Sequence, residues 1–299
     1  MKKKLFLMAL AVCLVTACEK PIVSDEYTTD TVVVDDDGNA VPTKKFTFTI
    51  KGDFSDTWKQ TRGYLQADGR DMTDLWVFDF VGDECVQSLH QDDNTSDDFG
   101  RPVMNLALGS HHIYFVASRG ATPTLNETAK TLTWASVRDT FWKDYEVSVV
   151  SSSNGNRAVT LDRVVTKMRI TVNDEVPAEC ATLTIEPETW YNGLNYTTGA
   201  VISMSGSTAH TVSVPSSYIG TSGDLTMSIF GFSGTTEWTT NVTITAKNGE
   251  SAVIGSATIG NAPFIRNRAT EYSGNLFGSG GNLSASLNDV WLTANTGTW

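Results

Sequence analysis

The sequence predicts an all-β protein built as two tandem β-sandwich domains. Segments of alternating apolar and polar residues recur along the chain at spacings of roughly 10 to 17 residues, with glycine, serine and asparagine between them. No segment has the pattern of a long amphipathic helix. The chain has 299 residues, of which 40% are hydrophobic, and this suits two sandwiches of about 120 residues each with a real core.

The first 17 residues have the parts of a secretory signal peptide. The lysines at Lys2 to Lys4 precede a largely apolar run of eleven residues, Leu5 to Val15. This run is too short to cross a bilayer, which takes about 20 residues. The small residues before Cys18 resemble a bacterial lipobox. We therefore predict a signal peptide at residues 1–17 and acyl chains, palmitate among them, on Cys18. An ordinary signal peptide cut elsewhere is the alternative.

Residues 18–44 are predicted to be the lipidated N-terminus and a flexible acidic tether. Only Thr31 to Val34 has the composition of a strand, and the run Asp35 to Gly38 is strongly acidic. A calcium-binding loop would need a glutamate at a set distance after such a run, and none follows there. We interpret the segment as a solvated spacer.

The charge of the chain argues against two classes of partner. The formal net charge is −12, from 22 Lys+Arg and 34 Asp+Glu. Removal of the signal peptide takes away three lysines and no acids, which leaves 19 − 34 = −15. Nucleic acids and anionic membrane surfaces select basic patches, so we expect neither as a partner.

Residues 45–162 are predicted to form the first sandwich. In the segment KFTFTIKG, residues Phe46, Phe48 and Ile50 share one face of a strand. The segment DLWVFDF at residues 74–80 is apolar on both faces, which predicts a central strand with CVQSLH as its hairpin partner. Further strand pairs are expected in VMNLALGSHHIYFVAS and in DYEVSVV with RAVTLDR. Between Asn126 and Lys143 we expect a short helix or a loop.

Residues 163–299 are predicted to form the second sandwich, with the boundary near Asp162. Its strand-like segments are KMRITVND, ATLTIEPE, GAVISMS, AHTVSVP, LTMSIFGF, WTTNVTITAK, AVIGSATIG, ATEYSGNLF and NLSASLNDVWL. The glycine-rich stretch Gly278 to Asn282 lies between strands. Because a phosphate loop needs a helix N-terminus, we interpret this stretch as a flexible hairpin. The bulky Trp299 is expected to pack on the fold.

The polar residues do not combine into a recognisable catalytic or metal-binding motif. His111 and His112 are adjacent, so they point to opposite faces of a strand. His90 lies near Asp92, Asp93 and two further aspartates, and a solvated acidic loop is preferred there over a metal site. The sequence has no paired-histidine motif and no G-x-S-x-G elbow. We expect no enzyme activity, no metal and no cofactor.

Aromatic residues and cysteines each leave two interpretations open. The triplet Trp190-Tyr191-Asn192 could stack on a sugar, although such residues also fill the cores of sandwiches. Cys85 and Cys180 are 95 residues apart and fall in different predicted domains. We favour two half-buried thiols, and a disulfide in an oxidising compartment is the alternative.

Several segments, taken in order, resemble the fimbrillin superfamily of the Bacteroidales, the components of type V pili. They are FTFTIKGDF with Thr61-Arg62, MTDLWVFDF, LALGSHHIYFVAS, TLDRVVTKMRITV and FIRNRATEYSGNLF. Each is a generic strand alone, so their order and spacing carry the resemblance. It covers residues 45 to 299 and joins the lipobox at Cys18.

The resemblance implies a surface-exposed lipoprotein of the cell outer membrane with two transthyretin-like β-sandwiches, located in the fimbrium. Its implied partners are other pilus subunits, joined by strand exchange, in which a strand from one subunit pairs with an open sheet edge of another. Adhesion to host or bacterial surface glycans or proteins is implied as well.

The resemblance also makes Arg62 a candidate cleavage site. Stalk fimbrillins lose an N-terminal segment to an arginine-specific protease, whereas anchor subunits keep their lipid. Arg62 is the first arginine of the chain, and cleavage after it would remove the KFTFTIKG strand. We favour an anchor or minor subunit. A stalk or tip fimbrillin and a surface glycan-binding lipoprotein are the alternatives.

Overall fold

The computed structural model describes residues 41–52, 63–64, 72–92, 96–120, 122–277 and 283–288. In the strands at 63–64 and 283–288 only the backbone is described. Cys18, Arg62 and Trp299 lie outside these ranges. The described helical structure is a single 3-10 turn at Ser216–Tyr218, and none of it could span a membrane.

The regular secondary structure of the described residues is almost entirely β-strand. Up to residue 163 the strands are β1 (Thr43–Gly52), β2 (Gly63–Tyr64), β3 (Asp74–Val81), β4 (Glu84–Asp92), β5 (Val103–Ala107), β6 (Gly109–Ser118), β7 (Thr124–Asn126), β8 (Thr131–Thr133), β9 (Thr140–Val149), β10 (Asn156–Thr160) and β11 (Asp162–Arg163). From residue 165 they are β12 (Val165–Val172), β13 (Cys180–Pro187), β14 (Tyr191–Asn195), β15 (Val201–Ser203), β16 (His210–Ser213), β17 (Thr226–Phe232), β18 (Trp238–Asn248), β19 (Val253–Phe264), β20 (Ala269–Gly274) and β21 (Leu283–Asn288). The prediction of an all-β protein is confirmed.

Two sheets enclose the core of the first half. Sheet I has β1 at its centre, with β10 parallel on one side and β5 and β2 antiparallel on the other. Sheet II has the order β11-β9-β6-β3-β4. The predicted inward face of β1 is confirmed, because Phe46, Phe48 and Ile50 are fully buried between the two sheets.

Strand β3 is the central strand that the sequence predicts. It pairs with β4 on one side and β6 on the other, and its residues from Asp74 to Phe80 are all buried. Leu75 and Val77 face the core under sheet I, while Trp76 and Phe78 face a second, aromatic cluster. Burial on both faces explains why this strand reads as an almost continuous apolar run.

Two further sheets enclose the core of the second half. Sheet IV has the order β17-β12-β20-β21, and sheet V has the order β16-β13-β18-β19. Alternate residues from both sheets fill the space between them, including Ile170, Ile185 and Ile244. The fully buried Trp190 lies in the same core, and it packs edge-on against Phe264 at 5.2 Å. This interdigitation of two inner faces is the packing of a β-sandwich.

A fifth sheet, sheet III, takes strands from both halves in the order β15-β14-β8-β7. Its central pairing aligns Leu132 of β8 with Leu194 of β14. Behind it lies an aromatic cluster to which both halves contribute, and which includes Phe78, Tyr196 and Phe232. Phe78 and Tyr196 are stacked with ring centroids 4.0 Å apart. The domain division at Asp162 remains a prediction, although strand partners do change between β11 and β12.

The region between Asn126 and Lys143 differs from the expected helix or loop. It contains the turn after β7, strand β8 and the start of β9, with a non-strand segment at 134–139. The apolar residues Leu132, Val137 and Phe141 are buried as a helical face would require. However, β8 pairs with β7 on one edge, and on its other edge it is hydrogen-bonded to β14, which is distant in sequence. A pattern read from neighbouring residues cannot anticipate that pairing.

A buried ion pair lies where the chain leaves sheet II. Arg163 donates from Nε and Nη2 to the two oxygens of Asp139, at 2.7 and 2.9 Å. Its Nη1 donates to Asn267 of the second half at 3.1 Å. The two charged side chains are only 3% and 6% exposed. This bidentate geometry satisfies charges that would otherwise be costly to bury.

We predict that Asp139→Ala lowers the free energy of unfolding by about 3–5 kcal/mol, because the guanidinium of Arg163 would remain buried without its counter-charge. Urea unfolding followed by tryptophan fluorescence measures the change. The control is Lys143→Ala, which removes an exposed pair with Asp162 at 3.0 Å and should cost less than about 1 kcal/mol. Equal losses in the two variants would contradict the role given to the buried pair.

Candidate assembly site at the first strand

Strand β1 is hydrogen-bonded on both of its edges. On one side Thr47 to Lys51 align with β10, and the Thr47 amide donates to the Gly155 carbonyl at 2.7 Å. On the other side β5 and β2 pair with its two ends. Between those pairings, the amides of Phe48 and Ile50 donate to the carbonyls of Pro102 and Gly100. The strand therefore leaves no open edge within the described part of sheet I.

The apolar side chains of β1 complete the aromatic part of the first core. The Phe48 ring meets Phe115 edge-on at 5.3 Å and Tyr145 edge-on at 6.1 Å. The Arg157 guanidinium lies 5.1 Å from the centroid of the Phe46 ring. Each large apolar side chain buried in this way contributes about 1.5–3 kcal/mol. Loss of β1 would thus expose both an apolar floor and two unpaired strand edges.

Gly155 allows β10 to approach β1 closely. A Cβ atom added there would lie 1.9 Å from the carbonyl oxygen of Lys45, and backbone atoms cannot move aside as a flexible side chain can. The Gly155 carbonyl is the acceptor for the Thr47 amide, so the close contact and the hydrogen bond belong together.

A buried polar connection links sheet II to the strand beside β1. His111 bonds through Nδ1 to Asp79 at 2.8 Å, and its Nε2 donates to the Ala107 carbonyl of β5 at 3.0 Å. Both side chains are almost fully buried. Ala107 is aligned with Thr43, the first residue of β1. Thus the pair holds β5 in place where β1 enters the sheet.

The His111–Asp79 pair binds protons more tightly than the same groups do in water. Burial raises the pKa of Asp79, and the hydrogen bond and charge of His111 lower it by less. Burial lowers the pKa of His111. The hydrogen bond with Asp79, the charge of Asp79 and the hydrogen bond to the Ala107 carbonyl together raise this pKa by more, so it is raised overall. When folding raises the pKa of a group, whether a carboxylic acid or an imidazole, the folded state favours the protonated form of that group.

The two predicted site residues, Cys18 and Arg62, lie outside the described residues, but their positions in the chain relate them to β1. Cys18 precedes the strand, and the tether joins them. Gly63, which follows Arg62, begins β2 and is aligned with Gly52 at the end of β1. The peptide bond after Arg62 therefore separates two strands that pair with each other.

The other candidate residues are used within the fold. His90 bonds to Asp74 at 2.8 Å and stacks on Trp76. Trp190 is buried, so it cannot serve as the exposed stacking platform that its sequence neighbours suggested. Cys85 and Cys180 form no disulfide with each other. Burial raises the pKa of the Cys180 thiol, and the charge of Glu179 raises it further.

We predict that Gly155→Ala lowers the free energy of unfolding by roughly 1–3 kcal/mol, because the new methyl group would push β10 away from β1. Urea unfolding gives the change, and faster amide exchange in β1 would localise it. Gly249→Ala is the matched control, since no atom lies near its added Cβ. The close-packing argument fails if both substitutions have the same effect.

A second prediction concerns pH. Because the folded state raises the pKa of His111, the contribution of the His111 proton to stability is fully present below the ordinary histidine pKa of 6.5. That contribution should decline as pH rises through the elevated pKa of His111. Urea unfolding from about pH 6 to about pH 9 measures the decline. The double variant H111Q/D79N should lose this pH dependence, whereas His112→Gln should retain it. Retention in the double variant would refute the assignment.

No family model matches the chain, and no curated protein matches it in sequence. Solved structures do match. A Bacteroides ovatus protein proposed to act in cell adhesion has a TM-score of 0.50 and 13% identity, over 84% of this chain and 98% of that one. A proposed adhesin from Bacteroides thetaiotaomicron has a TM-score of 0.49 and 8% identity, over 84% and 100%. A fimbrial assembly protein from Parabacteroides distasonis has a TM-score of 0.47 and 12% identity, over 83% and 96%.

The similarity to the Bacteroides ovatus protein bears on the fold. The chain shares the all-β sandwich fold of that protein along most of its length. The fold that the sequence predicted is therefore confirmed.

Proposed function

We propose that this chain is an outer-membrane lipoprotein that acts as a subunit of a type V pilus, most consistently as an anchor or minor subunit. In this proposal Cys18 carries the lipid, residues 19–44 form the tether, and two sandwich domains follow at 45–162 and 163–299. The protein has a structural role in adhesion and is not an enzyme. Its partners are other pilus subunits, and surface glycans or proteins are the adhesion targets.

The observation that carries the proposal is the position of β1. This strand is the first described element after the predicted lipid site, and it lies at the centre of sheet I. A lipid on Cys18 would therefore be connected by a short tether to a strand held by hydrogen bonds on both edges. Such a connection suits an anchor, because tension on the tether acts on the best-supported strand of the sheet.

The same strand explains how a partner could be joined. Without β1, strands β5 and β10 would present unpaired backbone groups on either side of an apolar floor that includes Phe115 and Tyr145. An incoming strand with apolar residues at every second position would restore the hydrogen bonds and fill the pockets of Phe46, Phe48 and Ile50. This is β-strand addition at a site that the uncut chain already occupies itself.

The main alternative is a stalk or tip fimbrillin, and the position of Arg62 favours it. Cleavage after Arg62 would release the N-terminal segment, including β1, and would leave β2 with the rest of the protein. The cut chain would lose its lipid, and at the same time the groove between β5 and β10 would open. In an anchor subunit this bond stays intact, so the state of the Arg62–Gly63 bond separates the two roles.

The glycan-binding alternative receives less support from the aromatic residues. Trp190 is buried, and the rings of Tyr191 and Trp238 are nearly perpendicular at 88°. Sugar platforms need exposed aromatic faces, and these three rings do not provide a shared one.

The test is N-terminal mapping by mass spectrometry of the protein from the cell surface, with and without an arginine-specific protease. For an anchor we expect a chain that starts at lipidated Cys18 in both samples and co-purifies with fibres. A stalk or tip subunit would start at Gly63 after protease treatment. Cys18→Ala should release the protein from the outer membrane fraction.

The matched control for cleavage compares Arg62→Ala with Arg70→Ala. If a stalk role applies, only Arg62→Ala should block both the cleavage and the incorporation into fibres. A chain that keeps its lipid and never co-purifies with fibres would contradict any pilus role. A chain that stays soluble and unlipidated in every sample would contradict the lipoprotein assignment.

A further inference from the structure

Three metal-ligating side chains meet on one exposed strip of sheet II. They are His112 of β6 and Asp144 and Glu146 of β9, and one ligand atom from each lies within 4.8 Å of the others. His112 Nδ1 is 3.1 Å from an oxygen of Asp144. His112 and Asp144 are partly exposed, with 42% and 33% of their side chains accessible, and Glu146 is exposed. The group is thus open to solvent on one side.

The strand register creates this arrangement. His112 is aligned with Glu146, and Tyr114 is aligned with Asp144, in the antiparallel pairing of β6 and β9. Residues two apart on a strand share a face, so all four side chains point the same way. Aligned and diagonal neighbours across antiparallel strands are close enough for side chains of this length to meet. The strand pairing therefore places the three residues side by side on one face of the sheet.

The charges around the group favour a cation. Within the described residues, no lysine or arginine forms an ion pair with Asp144 or Glu146, and the nearby Lys143 is bonded to Asp162.

The other three histidines lack such a set of ligands. His90 and His111 are each bonded to a single aspartate, and His210 packs against Trp190. Within the described part of the chain, His112 is the one histidine that has an imidazole nitrogen close to two carboxylates.

We propose that His112, Asp144 and Glu146 form a surface site for a divalent transition-metal ion such as Zn²⁺. One imidazole and two carboxylates suit such an ion, whereas Ca²⁺ and Mg²⁺ prefer oxygen ligands alone. Zinc–ligand distances of about 2.0–2.2 Å place two ligands of one ion up to about 4 Å apart. Small rotations of the exposed side chains would reach that geometry from the present one.

The proposed site has a chemical consequence for recognition. Three protein ligands leave at least one coordination position for water or for an outside group, because zinc usually takes four ligands. A carboxylate or imidazole from a partner molecule could occupy that position. The site would then bind a partner through the shared ion, on a face separate from the β1 edges.

The test uses the full-length chain without a histidine tag, in mild detergent, titrated with ZnCl₂ by isothermal titration calorimetry near neutral pH. We expect one saturable site whose affinity falls at least about tenfold in His112→Gln and in Glu146→Gln. Glu186→Gln is the matched control, because it removes one charge from an exposed strand position of the second half. It should bind zinc as the unchanged chain does.

Circular dichroism and thermal melting establish that the variants are folded, which the exposure of these residues leads us to expect. An excess of Ca²⁺ should leave the zinc affinity unchanged. Absence of a saturable zinc site overturns the proposal, and so does equal binding by the two ligand variants and the control. Displacement of zinc by Ca²⁺ would overturn the choice of a transition metal.

Discussion

The pairing of β1 on both edges is the constraint on which the first half of the structure depends. This strand supplies Phe46, Phe48 and Ile50 to the core, and it holds β5 and β10 in one sheet. Other features support it from outside. Gly155 permits the close approach of β10, and the His111–Asp79 pair ties β5 to the opposite sheet. The order of sheet I therefore follows from one N-terminal strand.

The two halves of the chain are joined by more than a linker. Sheet III pairs β8 with β14, and the aromatic cluster behind it includes side chains from both halves. Arg163 bonds to Asp139 in one half and to Asn267 in the other. Hydrogen bonds across sequence separations this large make independent motion of the halves costly. A pulling force on β1 would reach the second half through these contacts.

The sequence predicts the long strands well, because β1, β3, β12 and β18 each have a clear alternation or an apolar run. It misses β7, β8 and β14, which are short, and the pairing of β8 with β14 joins strands distant in sequence. For the candidate site, the apolar face of β1 is predictable, and its place at the centre of a sheet is not. The His112 cluster depends on the register of β6 and β9, which no local pattern specifies.

The energetics of β1 connect the two roles considered for the protein. Within the described residues, β1 already pairs with β5 and β10 of its own chain, so an outside strand has little to gain by competing with it. Once the bond after Arg62 is broken, that advantage disappears, because the strand becomes a separate molecule that can dissociate. A replacement strand then regains the same burial and hydrogen bonds. In the proposed scheme the groove between β5 and β10 would be closed or receptive according to this one covalent bond, with the same core in both states.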